Sequence, residues 1–211
     1  MSYLSHEALL RGVQPSQPRI TPIAGAEPSL ALFEFTSIAQ GMVAADAMLK
    51  RTHVDLLHAG TVQPGHYLVG VGGEVADVEE ALKAGRDAGA DSLRDVVWLP
   101  GVHPSVLHAF RPQSVPTEAT ALGIIETLTA PAAIKSADVA VKGASITLTS
   151  IRLSDGLGGK SLVLLMGAVS DVEAALELVR VQNLALVKAV VIPQLHAEFM
   201  AQVIGETRFF R

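Results

Sequence analysis

Short apolar runs alternate along the chain with longer stretches whose apolar positions recur every three or four residues. The short runs predict strands and the longer stretches predict helices. In order they give β-α-β-β-α-β and a short helix, and this order then occurs a second time. This is the ferredoxin-like arrangement of an α+β domain. The predicted strands are 30–35, 54–58, 67–71, 95–99, 122–127, 146–152, 161–166 and 187–192, and the predicted helices are 38–50, 75–88, 104–110, 130–141, 169–181 and 195–204.

Local signals mark where several of these elements begin and end. Ser37 is placed to cap the first helix, because a serine hydroxyl accepts a hydrogen bond from a backbone N–H of the first turn. Gly89 is expected to stop the second helix. Pro64 and Gly65 interrupt the chain between two strands, which predicts a turn.

The second half of the chain repeats the first in sequence as well as in pattern. GEVADVEEAL at 73–82 returns as GAVSDVEAAL at 167–176, with seven of ten positions identical. Further matches at similar offsets lie on both sides of this segment. Two homologous domains are therefore predicted, at 30–110 and 121–211.

Two segments lie outside the predicted domains. Residues 111–120 form a polar linker that contains prolines. Residues 1–29 contain four prolines, which break any long element. We expect this extension to be irregular, and one short helix over 3–13 is the alternative.

The composition is apolar for a protein of small domains. Hydrophobic residues make up 49% of the chain and charged residues 18%, and the mean hydropathy is +0.39. A small domain buries only a modest fraction of its surface by itself. The two units are therefore expected to pack on each other, or the chain to form an oligomer with large interfaces. A core rich in alanine and valine is the simpler alternative.

The residues that the chain has and lacks argue against several classes of protein. No apolar run approaches the ~20 residues that a membrane-spanning helix needs, and no secretory signal is readable. The absence of cysteine excludes disulfides and cysteine-ligated iron–sulfur or zinc sites. The net charge of −5, without a basic stripe, argues against nucleic-acid binding. A cytoplasmic location is expected.

The sequence contains no recognisable catalytic constellation. LSDGLGGKS at 153–161 ends like a phosphate-binding P-loop, but Ser154 replaces a required glycine and a strand follows where a helix is needed. The seven histidines form no metal-ligand pair at helical spacing. His103 and His196 occupy equivalent places in the two units, which favours a structural role. We therefore expect neither an enzyme nor a cofactor, and function is expected in two loops that differ between the units, 63–66 and 155–160.

Several segments of the chain resemble a known family. ALGIIET at 121–127, AAIKSADVAVK at 132–142, MGAVSDVEAAL at 166–176 and VVIPQLH at 190–196 resemble the bacterial microcompartment (BMC) shell domain in order and spacing. LFEFTSIAQGMVAADAMLK at 32–50 resembles it more loosely, and the match covers about 180 of the 211 residues. Two such domains in one chain resemble the tandem, trimer-forming BMC-T subfamily.

The resemblance implies a structural protein. In that family three tandem chains form a pseudohexagonal tile with a central pore for small polar metabolites. Tiles pack edge to edge with hexameric and pentameric shell proteins around enclosed enzymes, in a microcompartment of the bacterial cytoplasm. The element order suits a single-layer tile. The residues implied to line the pore are Gln63, Pro64, Gly65, His66, Asp155, Gly156, Leu157, Gly158, Gly159 and Lys160.

The resemblance also assigns residues to the edge of the tile, and the chain departs from the family there. Many members carry arginine where this chain has Gly101 and Gln194, so the usual arginine contact is missing. Some trimers hold an iron–sulfur cluster on pore cysteines, which this chain lacks. The residues assigned to the edge are Lys50, Lys142, His103, His196 and Gln194.

A second class of function stays open at this point. Ferredoxin-like repeats also serve as ligand sensors, so a small-molecule-binding regulatory module built from two such repeats is the alternative. A tile is expected to form sheets or tubes. A sensor is expected to stay as discrete particles and to melt at a higher temperature when its ligand is bound.

Overall fold

The computed structural model describes residues 28–109, 120–154, 156–182, 185–196, 198–200 and 202. It contains two four-stranded antiparallel sheets, one in each half of the chain. The interpretations given above for most of the N-terminal extension, nearly all of the linker, much of the last helix and Asp155 lie outside the described residues.

The first unit has the predicted β-α-β-β-α-β order and a short closing helix. Its sheet has the strand order β2-β3-β1-β4. The elements are β1 (Ser29–Phe35), α1 (Ile38–Arg51), β2 (Asp55–Val62), β3 (His66–Gly73), α2 (Val75–Gly89), β4 (Leu93–Leu99) and α3 (Pro104–His108).

The second unit repeats this arrangement, with the strand order β6-β7-β5-β8. The prediction of two α+β units is therefore confirmed. Residues 198–200 and 202 are helical, where the sequence predicts the last short helix. The other elements are β5 (Ala121–Thr127), α4 (Ala130–Gly143), β6 (Thr147–Leu153), β7 (Ser161–Gly167), α5 (Val169–Gln182) and β8 (Leu186–Pro193).

Alternation along β1 decides what each face of the first sheet contacts. Ala31, Phe33 and Phe35 join the cluster that includes side chains of α1 and α2, and the two phenylalanine rings stack with centroids 5.8 Å apart. Leu30 and Leu32 belong to a different cluster. Successive side chains of a strand point to opposite faces, so one face of the sheet is covered by the helices of its own unit and the other, outer face points away from them.

The two signals at helix ends have different outcomes. Ser37 caps α1 as predicted, its hydroxyl accepting from Gln40 N at 3.3 Å. Helix α2 ends within one residue of the predicted position, but Gly89 is its last helical residue instead of a cap beyond it, and a 3-10 turn, Ala90–Ser92, follows. Its φ of −105° needs no glycine. The position requires glycine for a steric reason, because a Cβ at Gly89 would lie 2.2 Å from Cε1 of Phe35.

The units pack against each other through a continuous apolar contact, which we call the seam. Helix α4 of the second unit packs against β1, β4 and α3 of the first. One buried cluster joins Leu30, Leu32 and Val97 of the first unit to Ile134 and the core of the second. Helix α3 also reaches β6, where Ile151 N donates to the carbonyl of Ala109 at 2.8 Å.

Candidate functional site

The two loops singled out in the sequence lie side by side. Residues 63–65 join β2 to β3, and the longer segment 154–160 joins β6 to β7. A Cβ added to Gly159 would lie 2.8 Å from Cδ of Pro64 and 3.6 Å from the carbonyl of Gln63. We call residues 63–66 and 154–160 the rim loops. The seam therefore brings together loops that are far apart in sequence.

Glycine gives the rim loops a backbone that other residues rarely adopt. The φ angles are 103° at Gly65, 70° at Gly156, 62° at Gly158 and 87° at Gly159. Among the described residues, no atom lies within 4 Å of a Cβ added to Gly65 or Gly158. These two positions therefore face open space, whereas Gly159 is needed for the close approach of the loops.

A buried carboxylate lies directly behind the first rim loop. Glu34 is fully buried, and its Oε1 lies 2.8 Å from Nδ1 of His66 and 2.5 Å from Nη1 of Arg94. Its Oε2 accepts from Ala130 N, at the start of α4, at 2.8 Å. His66 is therefore turned towards Glu34, and Glu34 links a rim loop to the seam.

The second rim loop has a corresponding pair. Lys160 Nζ donates to Oε1 of Glu126 at 2.7 Å. Strand pairing shows the equivalence, because Phe35 pairs with Tyr67 just as Thr127 pairs with Ser161. Lys160 therefore stands where His66 stands, and Glu126 where Glu34 stands. Sequence analysis missed these glutamates, although a single charged residue in an otherwise apolar strand, present in both units, was the available signal.

Two of the predicted edge residues, Lys142 of the second unit and His103 of the first, lie at the seam. Lys142 Nζ donates to the carbonyl of Gly101 and, at 2.8 Å, to Oδ2 of Asp138. The backbone N–H of His103 donates to Oδ1 of Asp138 at 2.8 Å. The side chain of His103 caps α3, because its Nδ1 accepts a hydrogen bond from Ser105 N. His103 thus has a structural contact. Its role and that of Lys142 at a tile edge stay predictions.

The repeat equivalents of these residues, Lys50 in the first unit and Gln194 and His196 in the second, have different contacts. Lys50 Nζ donates to Oδ2 of Asp46 at 2.5 Å, within its own helix. Gln194 has a positive φ of 52° and donates its backbone N–H to the carbonyl of Thr120 at 2.7 Å. The carbonyl of His196 accepts from Met200 N. Within the described residues, nothing joins Lys50 to Gln194 as Lys142 is joined to Gly101.

Helix α1 exposes the face that its counterpart α4 buries. Met42 is 51% exposed, whereas its equivalent Ile134 is 0% exposed. The side chain of Asp46 is 62% exposed, whereas that of its equivalent Asp138 is 6% exposed. We call Met42 and Asp46 the open face. It differs from α4 because the first unit covers α4 and nothing in the described chain covers α1 there.

The second sheet has a matching uncovered surface. Leu32, Leu68 and Val97, on the outer face of the first sheet, are buried. Their equivalents Ile124, Leu162 and Val190 are only partly buried. The chain therefore carries both halves of a second seam, an α1 face and a sheet face, without having them meet.

The described residues contain neither a metal-binding cluster nor a membrane-spanning helix. They include no group of three or more histidine, aspartate or glutamate side chains arranged to hold a metal ion. None of the helices described has both the length and the hydropathy needed to cross a membrane.

Comparison with known proteins identifies the repeated unit. The family model for the BMC domain matches the chain twice, at residues 29–102 and 121–195. The chain belongs to the BMC domain family. The resemblance proposed from the sequence is thereby confirmed, including the tandem arrangement of two BMC domains.

Individual BMC proteins cover nearly the same part of the chain. The bacterial microcompartment shell protein PduT of Citrobacter freundii is 37% identical over 179 residues, which is 83% of this chain and 97% of PduT. A microcompartment protein from Desulfitobacterium hafniense, known from its crystal structure, is 42% identical with a TM-score of 0.71, over 84% of this chain and 100% of that one.

The same fold also occurs in a protein of more distant sequence. The fused permuted hexameric shell protein of the RMM microcompartment has a TM-score of 0.55 at 19% identity, over 72% of this chain and 80% of that one. At this identity the likeness concerns the fold alone. The order of helices and strands in the present chain is the β-α-β-β-α-β order predicted from its sequence.

Proposed function

We propose that the chain is a structural shell protein of a bacterial microcompartment and forms a homotrimeric tile of six BMC domains. The observation that carries the proposal is the contrast between Met42, exposed on α1, and Ile134, buried on α4. If β5 and β8 of one chain receive α1 of the next as β1 and β4 receive α4, every open face is covered. Such a head-to-tail contact generates a ring when its rotation closes.

The relatives support this function. PduT of Citrobacter freundii is a microcompartment shell protein, and the distant structural neighbour is a hexameric shell protein made by fusion. Three tandem chains would supply six similar domains. We propose further that the protein acts without catalysis, lies in a microcompartment shell in the cytoplasm, and packs with hexameric and pentameric shell proteins around enclosed enzymes.

The rim loops would surround a central opening in such a ring. Each chain brings one loop of each kind, and Pro64 beside Gly159 shows how neighbouring loops touch. Gly65 and Gly158 face open space, and glycine-rich loops can direct backbone N–H groups towards a ligand. We propose that the opening passes small polar or anionic metabolites.

The assembly is tested by mass and by microscopy. Native mass spectrometry at micromolar concentration should report multiples of three chains, because the two uncovered surfaces are satisfied only between chains. Electron microscopy should show sheets or tubes. A clean monomer that forms no sheets, together with ligand-dependent melting, would favour the regulatory module instead.

The tile edge is a separate prediction. Replacing both Lys50 and Lys142 with alanine should abolish sheets while trimers persist, because a lysine stem lies along a neighbouring surface while its ammonium bonds a carbonyl. Lys83→Ala is the control, since Lys83 is another half-exposed helical lysine. Light scattering measures whether the trimer persists, and electron microscopy shows whether sheets form. Loss of the trimer itself would assign these lysines to the seams instead of the edge.

A further inference from the structure

We propose that Glu126 receives the N-terminus of α1 from the neighbouring chain of the ring. The inference rests on the proposed trimer and deepens it by naming the residues that hold one chain to the next. Its basis is a contact already present inside the chain, where Oε2 of the fully buried Glu34 accepts from Ala130 N, at the start of α4, at 2.8 Å. The repeat equivalents of Glu34 and Ala130 are Glu126 and Ile38, at the start of α1.

Strand register gives Glu126 the same place on its sheet as Glu34. Glu34 stands opposite Asp95 on β4 and Glu126 stands opposite Lys188 on β8, and both registers shift directly after the glutamate. Both carboxylates therefore leave the outer face of their sheet at the same point. Lys160 bonds Oε1 of Glu126, and no group among the described residues bonds its Oε2. This is the oxygen that Glu34 offers to α4.

Helix α1 has a free donor for this carboxylate. The N–H groups in the first turn of a helix have no acceptor inside the helix. The hydroxyl of Ser37 accepts from Gln40 N, whereas the described residues provide no acceptor for Ile38 N. The positive end of the helix dipole also favours a carboxylate there. Closure of the ring would bury Glu126, as the seam within the chain buries Glu34.

In the first unit, a second carboxylate supports the start of α4. Asp95 stands opposite Glu34, and its Oδ2 accepts from the hydroxyl of Thr129, the N-cap of α4. Arg94 and His66 are the basic side chains that contact Glu34. The N-terminus of α4 therefore meets two carboxylates, and negative charge at a helix N-terminus is stabilising.

The second unit has positive charge where the first has this second carboxylate. The equivalent of Asp95 is Lys188, opposite Glu126, and Lys160 is the lysine bonded to Glu126. The N-terminus of α1 would therefore meet one carboxylate and two lysines. The seam between chains is expected to be weaker than the seam within the chain, and Lys188 is the residue that weakens it.

The experiment measures, by sedimentation velocity of the full chain, the concentration at which trimers dissociate. Glu126→Gln should raise this concentration at least tenfold, because a neutral amide replaces the charged acceptor of the helix. Lys188→Asp should lower it about tenfold, because it supplies to α1 the second carboxylate that Asp95 supplies to α4.

The matched controls are Glu177→Gln and Lys83→Asp, which change the charge equally at one repeat-equivalent position of the two units. The side chain of Lys83 is 58% exposed although the seam of its unit is occupied, so this position lies outside the seam. A dissociation concentration equal to the control's, in either variant, would overturn the proposal. A parent chain that forms no trimers would overturn the tile itself.

A covalent test reports the contact directly, since the chain contains no cysteine. The Thr129 hydroxyl and the Asp95 carboxylate are in contact within the chain, so their equivalents Ser37 and Lys188 should be in contact between chains. Ser37→Cys with Lys188→Cys should form disulfides that link three chains, whereas Thr129→Cys with Asp95→Cys should form one inside a single chain. Trimers that stay unlinked while the internal pair closes would overturn the proposal and leave the tile standing.

Discussion

Replacing Met42 with aspartate should convert the trimer into folded monomers. Met42 is the apolar residue of the open face and is 51% exposed, whereas its equivalent Ile134 is completely buried at the seam. Burying a methionine side chain contributes about 1.5–3 kcal/mol, and forcing an unpaired carboxylate into the same place costs several kcal/mol more. The proposed ring has three such seams, so the penalty counts three times.

The measurement is native mass spectrometry combined with thermal unfolding of the same sample. Met42→Asp should shift the mass from three chains to one while the isolated chain keeps its secondary structure by circular dichroism. Val181→Asp is the matched control, because Val181 is 74% exposed and its equivalent in the first unit, Asp87, already has this side chain. A trimer that survives Met42→Asp unchanged would show that α1 is not at an interface.

The equivalent replacement in α4 tests whether the seam within the chain and the proposed seam between chains have the same arrangement. Ile134→Asp places the same charge in the seam within the chain, where the side chain is buried in the cluster that joins the units. It should lower the unfolding temperature of the monomer, whereas Met42→Asp should change only the assembly. Identical behaviour of the two variants would contradict the repeated-seam arrangement.

Replacing Gly158 with tryptophan should close the central opening to small polar metabolites. Its added Cβ meets no described atom within 4 Å, so the indole would extend into open space, and three copies would fill the opening. The φ of 62° lies in the left-handed region, where a residue other than glycine costs about 1–2 kcal/mol. Because pore diameter controls passage, flux across assembled shells should fall by about tenfold or more.

The control separates blockage from backbone strain. Gly158→Asn has the same φ but a short side chain, and asparagine tolerates the left-handed region. It should assemble and pass metabolites nearly as before. Gly65 is less suitable, since its φ of 103° lies outside the left-handed minimum. Unaltered flux in assembled Gly158→Trp shells would mean that the rim loops do not line the conduit.

Much of the fold could be predicted from periodicity and from the repeat. The order of elements follows from the alternation of short apolar runs with amphipathic stretches, and Ser37 was correctly identified as a cap. The end of β2 could not be found this way. His58, Gly60 and Thr61 do not alternate clearly, and the strand continues to Val62 because β3 supplies partners as far as His66.

The candidate site was predicted only in part. The rim loops were chosen because they differ between two repeats, and the fold brings Pro64 of one beside Gly159 of the other. The partners of the loop residues were not predictable. Glu34 lies 32 positions from His66 and 96 from the N–H of Ala130, and neither spacing has a local signature.

The sequence by itself determined the duplicated domain, its helices and strands, and the two glycine-containing loops, because these depend on neighbours within a few residues. The tertiary structure decided which helix is covered. Met42 and Ile134 are both apolar and occupy the same place in their helices, so nothing local distinguishes them. One is exposed and the other buried because burial depends on what the rest of the chain packs against. The described part of the chain contains a partner for α4 but none for α1.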